Sequence, residues 1–275
     1  KKYLYVRDPG LVYNLSARSK ISASAFKEHV ESTASYQEGE FKGDKVSYTA
    51  VPASAAWLRW PMRSEVSRMT YAPGRPERID DEHNIWPGWG VEPMPKPGGR
   101  RPKHDVGPFL ELLEHLFRGA EPEALRWFLK WCAYPLQYPG TKLFTTSVFH
   151  GIKHGTGKSF VGYTLGRIYG KNFAEISQMD LHNGFNEWAE AKQFVLGDDV
   201  TGPNKRADAD FLKKLITQRE LRVNAKYMPT YVVPDCVNYF LTSNHPDSFF
   251  IEDDDRRFFV HEVIGSGLSE MFYKE

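Results

Sequence analysis

The segment from His150 to Ser159 contains the residue types that bind phosphate groups. It reads His-Gly-Ile-Lys-His-Gly-Thr-Gly-Lys-Ser, a glycine-rich run that ends in Lys158 and Ser159. Glycines allow successive backbone N–H groups to turn toward one point, and a helix that begins there adds partial positive charge. The lysine would reach the β- and γ-phosphates of ATP, and the serine hydroxyl would bind Mg²⁺. The predicted nucleotide-binding residues are Gly151, His154, Gly155, Thr156, Gly157, Lys158 and Ser159.

The spacing of these glycines departs from the usual phosphate-loop motif. That motif places four residues between its first glycine and the Gly-Lys pair, whereas five residues separate Gly151 from Gly157. Either Ile152 takes the place of the first glycine, or the loop contains one extra residue. An ordinary glycine-rich turn with a surface lysine is the alternative without a function, and the intact Gly-Lys-Ser sequence argues against it.

Two adjacent acids, Asp198 and Asp199, follow a short apolar run that predicts a buried strand. In phosphate-loop enzymes a metal-binding acid lies at the carboxyl end of such a strand, beside the phosphates. We therefore predict that Asp198 binds Mg²⁺ together with Ser159, and that Asp199 orients the attacking water. Aspartate is one methylene shorter than the glutamate usual in that role. Two acids at a strand end can also form a solvated cap, but the phosphate loop upstream favours the catalytic interpretation.

A GTPase is a further class that these motifs bring into consideration. Asp199-Val-Thr-Gly202 fits the Asp-x-x-Gly motif of that class, which a guanine-specifying Asn-Lys-x-Asp should follow. The nearest sequence, Asn204-Lys-Arg-Ala-Asp208, has alanine where the aspartate belongs and comes too early in the chain. The sequence therefore disfavours a GTPase.

Strands and helices alternate from residue 143 onward, which is typical of a mostly parallel sheet with helices on its faces. Leu143–Phe149 predicts the strand before the phosphate loop, and Phe160–Tyr169 predicts the helix after it. The polar stretch Gln178–Lys192 is also predicted to be helical. Upstream, Val106–Phe117 and Glu121–Trp131 show the apolar periodicity of two short helices.

Residues 1 to about 100 predict a small, irregular α/β region. Strands at Tyr3–Val6 and Leu11–Leu15 flank the turn signal Asp8-Pro9-Gly10, and a helix follows at Ala23–Thr33. The run Glu92–Gly99, rich in proline and glycine, is the best linker candidate. We therefore divide the chain into an N-terminal α/β accessory region (1–104), a helical collar (105–140) and a phosphate-loop ATPase core (141–275).

Arginines and aromatic residues interleave in the accessory region. Such a pattern can form a nucleic-acid surface, because rings stack on bases and guanidinium groups contact phosphates. We favour the alternative interpretation, in which the rings pack together and the arginine side chains lie over them. The arginines concerned are Arg59, Arg63, Arg68, Arg75 and Arg78.

Composition limits the classes of function. Lys and Arg number 36 and Asp and Glu number 35, so the net charge of +1 gives no overall field for nucleic acid, which would need a local patch. No apolar run is long enough to span a membrane and no secretory signal is present, which predicts a cytoplasmic protein. Cys132 and Cys236 fit no metal spacing and are expected to be buried free thiols.

The order of the later motifs decides the class. A helix and a hairpin at Phe211–Pro234 precede Asn238–Asn244, which ends in Thr-Ser-Asn, and the Asp-Asp-Asp-Arg-Arg run within Asp253–Val260. Together with the two nucleotide motifs, this order resembles superfamily 3 helicases of the AAA+ type. More narrowly, it resembles the helicase part of phage and poxvirus-type primase–helicases. The resemblance covers residues 131 to 275 closely and residues 53 to 89 loosely.

The resemblance implies roles for residues outside the nucleotide motifs. Asn244 would contact the γ-phosphate or the attacking water. Arg256 or Arg257 would reach the nucleotide of a neighbouring subunit, while the other would pair with one of Asp253, Asp254 and Asp255. The hairpin from Leu221 to Val233 would project into the central channel of a ring. The DNA-binding residues implied are Lys226, Tyr227, Lys213 and Lys214, of which the last two alternatively serve the neighbour's ATP site or remain exposed lysines without a role.

These inferences combine into an ATP-dependent DNA helicase that requires Mg²⁺. It would act on single-stranded or forked DNA as a homo-oligomeric, hexameric ring, in the host cytoplasm if a phage or mobile element encodes it. Because the chain begins Lys1-Lys2, we expect a fragment, which a primase–polymerase domain would precede. The first alternative is a DNA-binding assembly module gated by nucleotide. The second is a small-molecule kinase, which leaves the hairpin, Asn244 and the arginines without a role.

Overall fold

The computed structural model describes residues 2–29, 34–93, 106–182, 186–199, 205–224, 226, 230–245, 251, 254–268 and 272. Contacts divide the chain into two compact units. The first comprises Lys1–Tyr71, Arg75–Ile85 and Asn224–Val233, and the second comprises Ala72–Gly74, Trp86–Val223 and Pro234–Glu275. The predicted collar and most of the predicted core thus lie in one unit, whereas residues 224–233 group with the N-terminal region.

Strands and helices occur in both units. In chain order they are β1 (Tyr3–Asp8), β2 (Leu11–Asn14), β3 (Ser19–Ser22), α1 (Ala23–His29), β4 (Ser35–Lys42), β5 (Lys45–Pro52), α2 (Ala53–Arg59), β6 (Glu65–Thr70), β7 (Arg78–Ile79), β8 (Glu82–Asn84), α3 (Gly107–Leu116), α4 (Pro122–Gln137), β9 (Thr146–His150), α5 (Lys158–Tyr169), β10 (Phe173–Ile176), α6 (Gln178–His182), β11 (Phe194–Gly197), α7 (Lys205–Thr217), β12 (Glu220–Val223), β13 (Tyr231–Pro234), β14 (Asn238–Ser243) and β15 (Phe258–Glu262). Two 3₁₀ turns add Gly170–Asn172 and Glu187–Ala189. None of the described helices has the length and apolar character that crossing a membrane requires.

The first unit contains a six-stranded sheet in the order β3-β2-β1-β6-β8-β7 and a separate β4–β5 hairpin. The predicted turn between β1 and β2 is confirmed, since Val6 lies opposite Leu11 and Gly10 has a φ of +88°. Helix α1 begins at the predicted Ala23 and is seen as far as His29, and the predicted remainder to Thr33 lies outside the described residues.

The arginines of the first unit lie against carboxylates and rings. The Arg63 guanidinium lies over the Tyr5 ring at 4.2 Å and forms an ion pair with Glu65 at 3.1 Å. Further ion pairs in this unit are Arg59–Glu38, Arg68–Glu82 and Arg78–Asp81. The half-buried Arg63 fits the packing interpretation. The ion pairs of Arg59, Arg68 and Arg78 are exposed and weak, so they do not decide between packing and a nucleic-acid surface.

The second unit contains a five-stranded sheet in the order β10-β11-β14-β9-β15, with every pairing parallel. The predicted mostly parallel sheet is therefore confirmed. Gly197 of β11 lies opposite Leu241 of β14, and Ser243 of β14 lies opposite His150 of β9. The carboxyl ends of these three strands consequently meet at one edge of the sheet, which is where ligands of open parallel sheets bind.

Alternate residues of the central strands enter two apolar clusters, as the two-residue period of a strand requires. On one face Phe149 contacts Phe128 of α4 and Phe240, with ring centroids 4.8 and 5.0 Å apart. On the other face Val148 and Leu241 pack with the apolar side of α7. Both faces are covered, which explains why the strands read as almost continuous apolar runs.

Two helix predictions need correction. Helix α4 continues beyond the predicted end at Trp131 to Gln137, with Pro135 buried inside it. The prediction of one helix over Gln178–Lys192 is wrong, because α6 ends at His182 and a 3₁₀ turn follows at Glu187–Ala189. Among the described residues, the 3₁₀ turn at Glu187–Ala189 and a φ of +54° at Ala191 are incompatible with a continuous helix.

A buried ion pair joins the segment before β9 to the segment before β14. Lys142 Nζ lies 2.8 Å from Asp235 Oδ1 and also donates to the Leu215 carbonyl at 2.8 Å. Asp235 further accepts hydrogen bonds from the Val237 amide and from Gln218 Nε2. Burial lowers the pKa of Lys142, while the Asp235 charge acts in the opposite direction. All the charged groups here have partners, as buried charge requires.

Lys142→Met should lower the free energy of unfolding by about 3–5 kcal/mol, because the Asp235 carboxylate would stay buried without its cation. Urea unfolding followed by circular dichroism measures this difference. Lys130→Met, at an exposed position of α4, is the matched control and should change stability by less than about 0.5 kcal/mol. Equal stability of the two variants would show that the buried pair contributes nothing.

Candidate nucleotide-binding site

The loop between β9 and α5 surrounds an open cavity at the carboxyl edge of the second unit's sheet. Gly155 and Gly157 have φ values of +66° and +97°, a region that favours glycine. Helix α5 begins directly after them, so its first N–H groups face the cavity side of the loop. The cavity has a volume of about 290 Å³, and its lining is Gly155, Thr156, Gly157, Lys158, Ser159, Phe160, Thr242 and Asn244.

Gly151 has a packing role at the start of the loop. A Cβ atom at this position would lie 2.4 Å from the Val263 carbonyl oxygen, and the Val263 amide donates to the His150 carbonyl at 2.7 Å. Only glycine therefore lets the end of β15 approach β9 this closely. The following residue, Ile152, is 72% exposed, and His154 is also exposed. The roles of Gly151 and His154 toward phosphate remain predictions.

The Lys158 side chain is buried within the loop. Its ammonium group donates to the Lys153 carbonyl at 3.0 Å, to Asn244 Oδ1 at 3.1 Å and to Thr156 Oγ1 at 3.3 Å. Burial lowers the pKa of Lys158, and the charges of Asp199 and Asp198 act in the opposite direction. The loop thus places neutral oxygen acceptors around the Lys158 ammonium. The same ammonium can donate hydrogen bonds to phosphate oxygens.

The Asp198 carboxylate joins the end of β11 to the start of α5 and the end of β14. Ser159 Oγ and Thr242 Oγ1 both donate to Asp198 Oδ1, the latter at 2.5 Å. Gly162 permits this approach, since a Cβ atom there would lie 2.7 Å from Leu196 Cδ1 of β11. Helix α5 consequently packs close enough to β11 for Ser159 to meet Asp198.

Oxygen donors of this kind suit a magnesium ion. Mg²⁺ is usually held by one or two carboxylates together with substrate phosphates, rather than by an all-protein cage. No cluster of three or more His, Cys, Asp or Glu ligands occurs in the described part of the chain. The Asp198 carboxylate and the Ser159 hydroxyl, beside a cavity formed by the glycine loop, therefore fit a cation that arrives with a nucleotide.

Asp199 contacts Asn244 across the strand ends. Asp199 is exposed and has a φ of +49°, which costs an ordinary residue about 1–2 kcal/mol. Its Oδ1 lies 3.3 Å from the Asn244 amide nitrogen and 3.4 Å from Asn244 Nδ2. Since Asn244 Oδ1 also accepts from Lys158, this single amide links the predicted lysine to the predicted water-orienting acid.

The two arginines have different surroundings. Arg257 forms a bidentate pair with Asp255, Nε to Oδ1 at 2.7 Å and Nη2 to Oδ2 at 2.8 Å. Lys213 Nζ lies 3.6 Å from the same carboxylate. The hydrogen bonds from Arg257 lower the pKa of Asp255. Arg256 is exposed, so it is the arginine of the pair that is available to another molecule.

The predicted DNA contacts belong to different units. Lys226 is exposed and belongs to the first unit, whereas Lys214 is exposed on α7 of the second unit. Strands β12 and β13 occur where the predicted hairpin requires them. Tyr227 lies outside the described residues, and Lys213 is occupied with Asp255. Their roles toward DNA remain predictions.

Three residues near Asp198 were missed by reasoning from the sequence. Thr242 is one, and the others are Tyr163 of α5 and Glu175 of β10, whose side chains are joined by a hydrogen bond of 2.8 Å. Burial, followed by the Glu175 and Asp198 interactions, raises the pKa of Tyr163. No spacing rule predicts these contacts, because sheet order and helix packing create them.

Known proteins resemble this chain over different extents. A family profile described as "Family of unknown function (DUF5906)" matches residues 149–257, less than half of the chain. The DNA primase-polymerase of Nitratiruptor phage NrS-1 is 27% identical to this chain in an alignment of 204 residues that covers 70% of this chain and 27% of that protein. The chain therefore spans about a quarter of that relative.

Solved structures of the NrS-1 C-terminal region share the fold. One apo structure matches with a TM-score of 0.71 at 21% identity, over 99% of this chain and 62% of that chain. The A form apo structure matches with a TM-score of 0.66 at 23% identity, over 86% of this chain and 60% of that chain. At these identities the likeness concerns the arrangement of strands and helices.

Gly151→Ala should destabilise the protein by about 1–3 kcal/mol and weaken nucleotide binding, because the new methyl group would push the loop away from Val263. Thermal unfolding and titration with a fluorescent ATP analogue measure the two effects. Gly43→Ala, in the β4–β5 turn outside the candidate site, is the matched control: no described atom lies within 4 Å of its Cβ position, so only the φ penalty of about 1–2 kcal/mol applies and nucleotide binding should be unchanged. Unchanged nucleotide binding in Gly151→Ala would contradict the packing role.

Proposed function

We propose that this chain is the ATP-hydrolysing helicase or translocase part of a phage replication protein. The observation that carries the proposal is the convergence of Lys158, Asn244, Asp199 and the Ser159–Asp198 pair on one cavity edge. The fold shared with the NrS-1 C-terminal region supports it, and the primase-polymerase name of that phage protein supplies the replication context.

Binding of ATP would use the loop and the residues beside it. The backbone N–H groups of Gly155 to Lys158 would surround the β- and γ-phosphates, and the Lys158 ammonium would exchange its carbonyl acceptors for phosphate oxygens. Ser159 and Asp198 would hold Mg²⁺, which neutralises charge on these phosphates when it is bound. The neutral acceptors now around Lys158 make this exchange favourable, because a phosphate oxygen carries more negative charge than a carbonyl.

Hydrolysis would require a water molecule placed by Asp199 and Asn244. The water oxygen forms a bond to the γ-phosphorus while the bond between that phosphorus and the bridging oxygen of ADP breaks. The proton of the water passes to the Asp199 carboxylate and then to solvent, and ADP and phosphate leave. The Asn244 amide holds Asp199 before ATP binds, and its Nδ2 group can donate to the γ-phosphate.

A neighbouring copy would complete the site with Arg256. The exposed guanidinium of Arg256 suits the charge that develops on a transferring phosphoryl group, whereas Arg257 is held by Asp255. Sites shared between copies imply a homo-oligomer, and we propose a hexameric ring. Lys226, Tyr227 and Lys214 would contact single-stranded or forked DNA through its phosphates and bases.

The longer protein would carry further activities. We propose a primase–polymerase domain in the same chain, by analogy with the name of the NrS-1 relative, and a location in the host cytoplasm. A nucleotide-gated assembly module is the competing function. Such a module would bind nucleotide at the same site, but single-stranded DNA would not stimulate its ATP hydrolysis.

Arg256→Ala should reduce DNA-stimulated ATP hydrolysis by about a thousandfold or more, because a trans arginine supplies about 10³–10⁵ in turnover. Lys158→Ala should be inactive as well. Mixing these two inactive variants should restore activity, since a mixed interface combines an intact loop with an intact arginine. Phosphate release, measured with and without single-stranded DNA over a range of protein concentrations, tests this.

Arg126→Ala, which alters an exposed arginine on α4, is the matched control and should behave as the unmodified chain. No recovery in the mixture would contradict the shared site. Nucleotide binding without turnover under any of these conditions would favour the assembly module.

Lys226→Ala should weaken binding of single-stranded DNA to a similar degree for every sequence, because an ammonium group senses phosphate charge rather than base identity. The slope of log K against log salt should become shallower by about 0.7. Fluorescence anisotropy with a labelled oligonucleotide, measured at several salt concentrations, gives both values. Lys130→Ala should leave the slope unchanged, and an unchanged slope in Lys226→Ala would rule out this phosphate contact.

A further inference from the structure

We propose that Thr242 is the residue that positions both acids of the nucleotide site for the metal ion and the attacking water. The inference rests on the proposed function, since it concerns how the same site binds Mg²⁺ with a nucleotide. Thr242 is a positioning residue, because its hydroxyl acts through Asp198 and Asp199 rather than on the nucleotide.

Sheet order places Thr242 between the two nucleotide motifs. Strand β14 lies between β9, which leads into the phosphate loop, and β11, which leads into the acids. Thr242 lies opposite Phe149 of β9, one residue beyond the Leu241–Gly197 pair with β11. The residue is only 1% exposed, so its hydroxyl must find partners within the protein.

The hydrogen bonds of this hydroxyl connect the two acids. It donates its single proton to Asp198 Oδ1 at 2.5 Å, and its oxygen accepts from the Asp199 amide at 3.4 Å. One side chain thus fixes the orientation of the Asp198 carboxylate and supports the backbone of Asp199, which has a φ of +49°. A hydroxyl is needed for this, because it donates and accepts at the same atom.

Thr242 also has a task that Ser159 cannot perform. Both hydroxyls donate to Asp198 Oδ1 in this structure. Ser159 would bind a cation through a lone pair of its oxygen while its proton stays on Asp198, whereas Thr242, whose oxygen accepts from the Asp199 amide, can hold both acids without contacting the cation. Groups that hold a metal-binding carboxylate in this way commonly contribute a factor of about 10–100 to metal affinity.

Thr242→Val tests the proposal, because valine matches threonine in shape and removes only the hydroxyl. Thr242→Ser restores the hydroxyl without the methyl group. Thr146→Val is the matched control: Thr146 is fully buried on the adjacent β9, and its Oγ1 has no hydrogen-bond partner among the described residues. The readouts are Mn²⁺ affinity in the presence of ADP, from electron paramagnetic resonance, and ATP affinity in EDTA.

The expected result is a loss of about tenfold or more in Mn²⁺ affinity for Thr242→Val, with metal-free ATP affinity unchanged. Thr242→Ser should retain most of the affinity, and Thr146→Val all of it. Undiminished Mn²⁺ affinity in Thr242→Val would overturn the proposal, as would an equal loss in Thr146→Val. The proposed function fails separately if the unmodified chain binds Mn²⁺ with ADP but never hydrolyses ATP, because the Thr242 comparison depends on affinity alone.

Discussion

The hydrogen bonds that converge on one oxygen of Asp198 are the contact on which the candidate site depends. They join the end of β11, the first turn of α5 and the end of β14, three elements that are distant in sequence. Their meeting requires the parallel order of the sheet and the close packing of α5 that Gly162 permits. A carboxylate held in this way by hydroxyl groups is oriented before any ligand arrives, which reduces the reorganisation that binding would otherwise require.

Charged side chains of the second unit form two groups, one around Lys158 and one around Asp255. Around the loop, Lys158 is surrounded by neutral oxygens and is linked through Asn244 to Asp199, so arriving phosphates would replace weak partners with stronger ones. Farther along the chain, Asp255 is satisfied by Arg257 and Lys213. The second group anchors the loop that carries Arg256, and it leaves that guanidinium at the surface.

The division of the chain into units changes how the hairpin is understood. Residues 224–233 group with the N-terminal region, and Tyr231 accepts a hydrogen bond from Lys20 within that unit. A segment predicted to belong to the ATPase core is thus anchored to the accessory region.

The sequence by itself predicted the glycine-rich loop before α5, the acidic pair after a buried strand and the mostly parallel sheet, because these predictions use patterns of residues that are close together in the chain. Gly155, Gly157 and the apolar strand runs act over a few residues, so local rules predict them. Only the tertiary structure decided that Thr242 lies beside Asp198, that Arg257 rather than Arg256 pairs with Asp255, and that Gly151 faces Val263. Those contacts depend on strand order and on helix packing, which bring together residues 44 and 112 positions apart in the first and last cases.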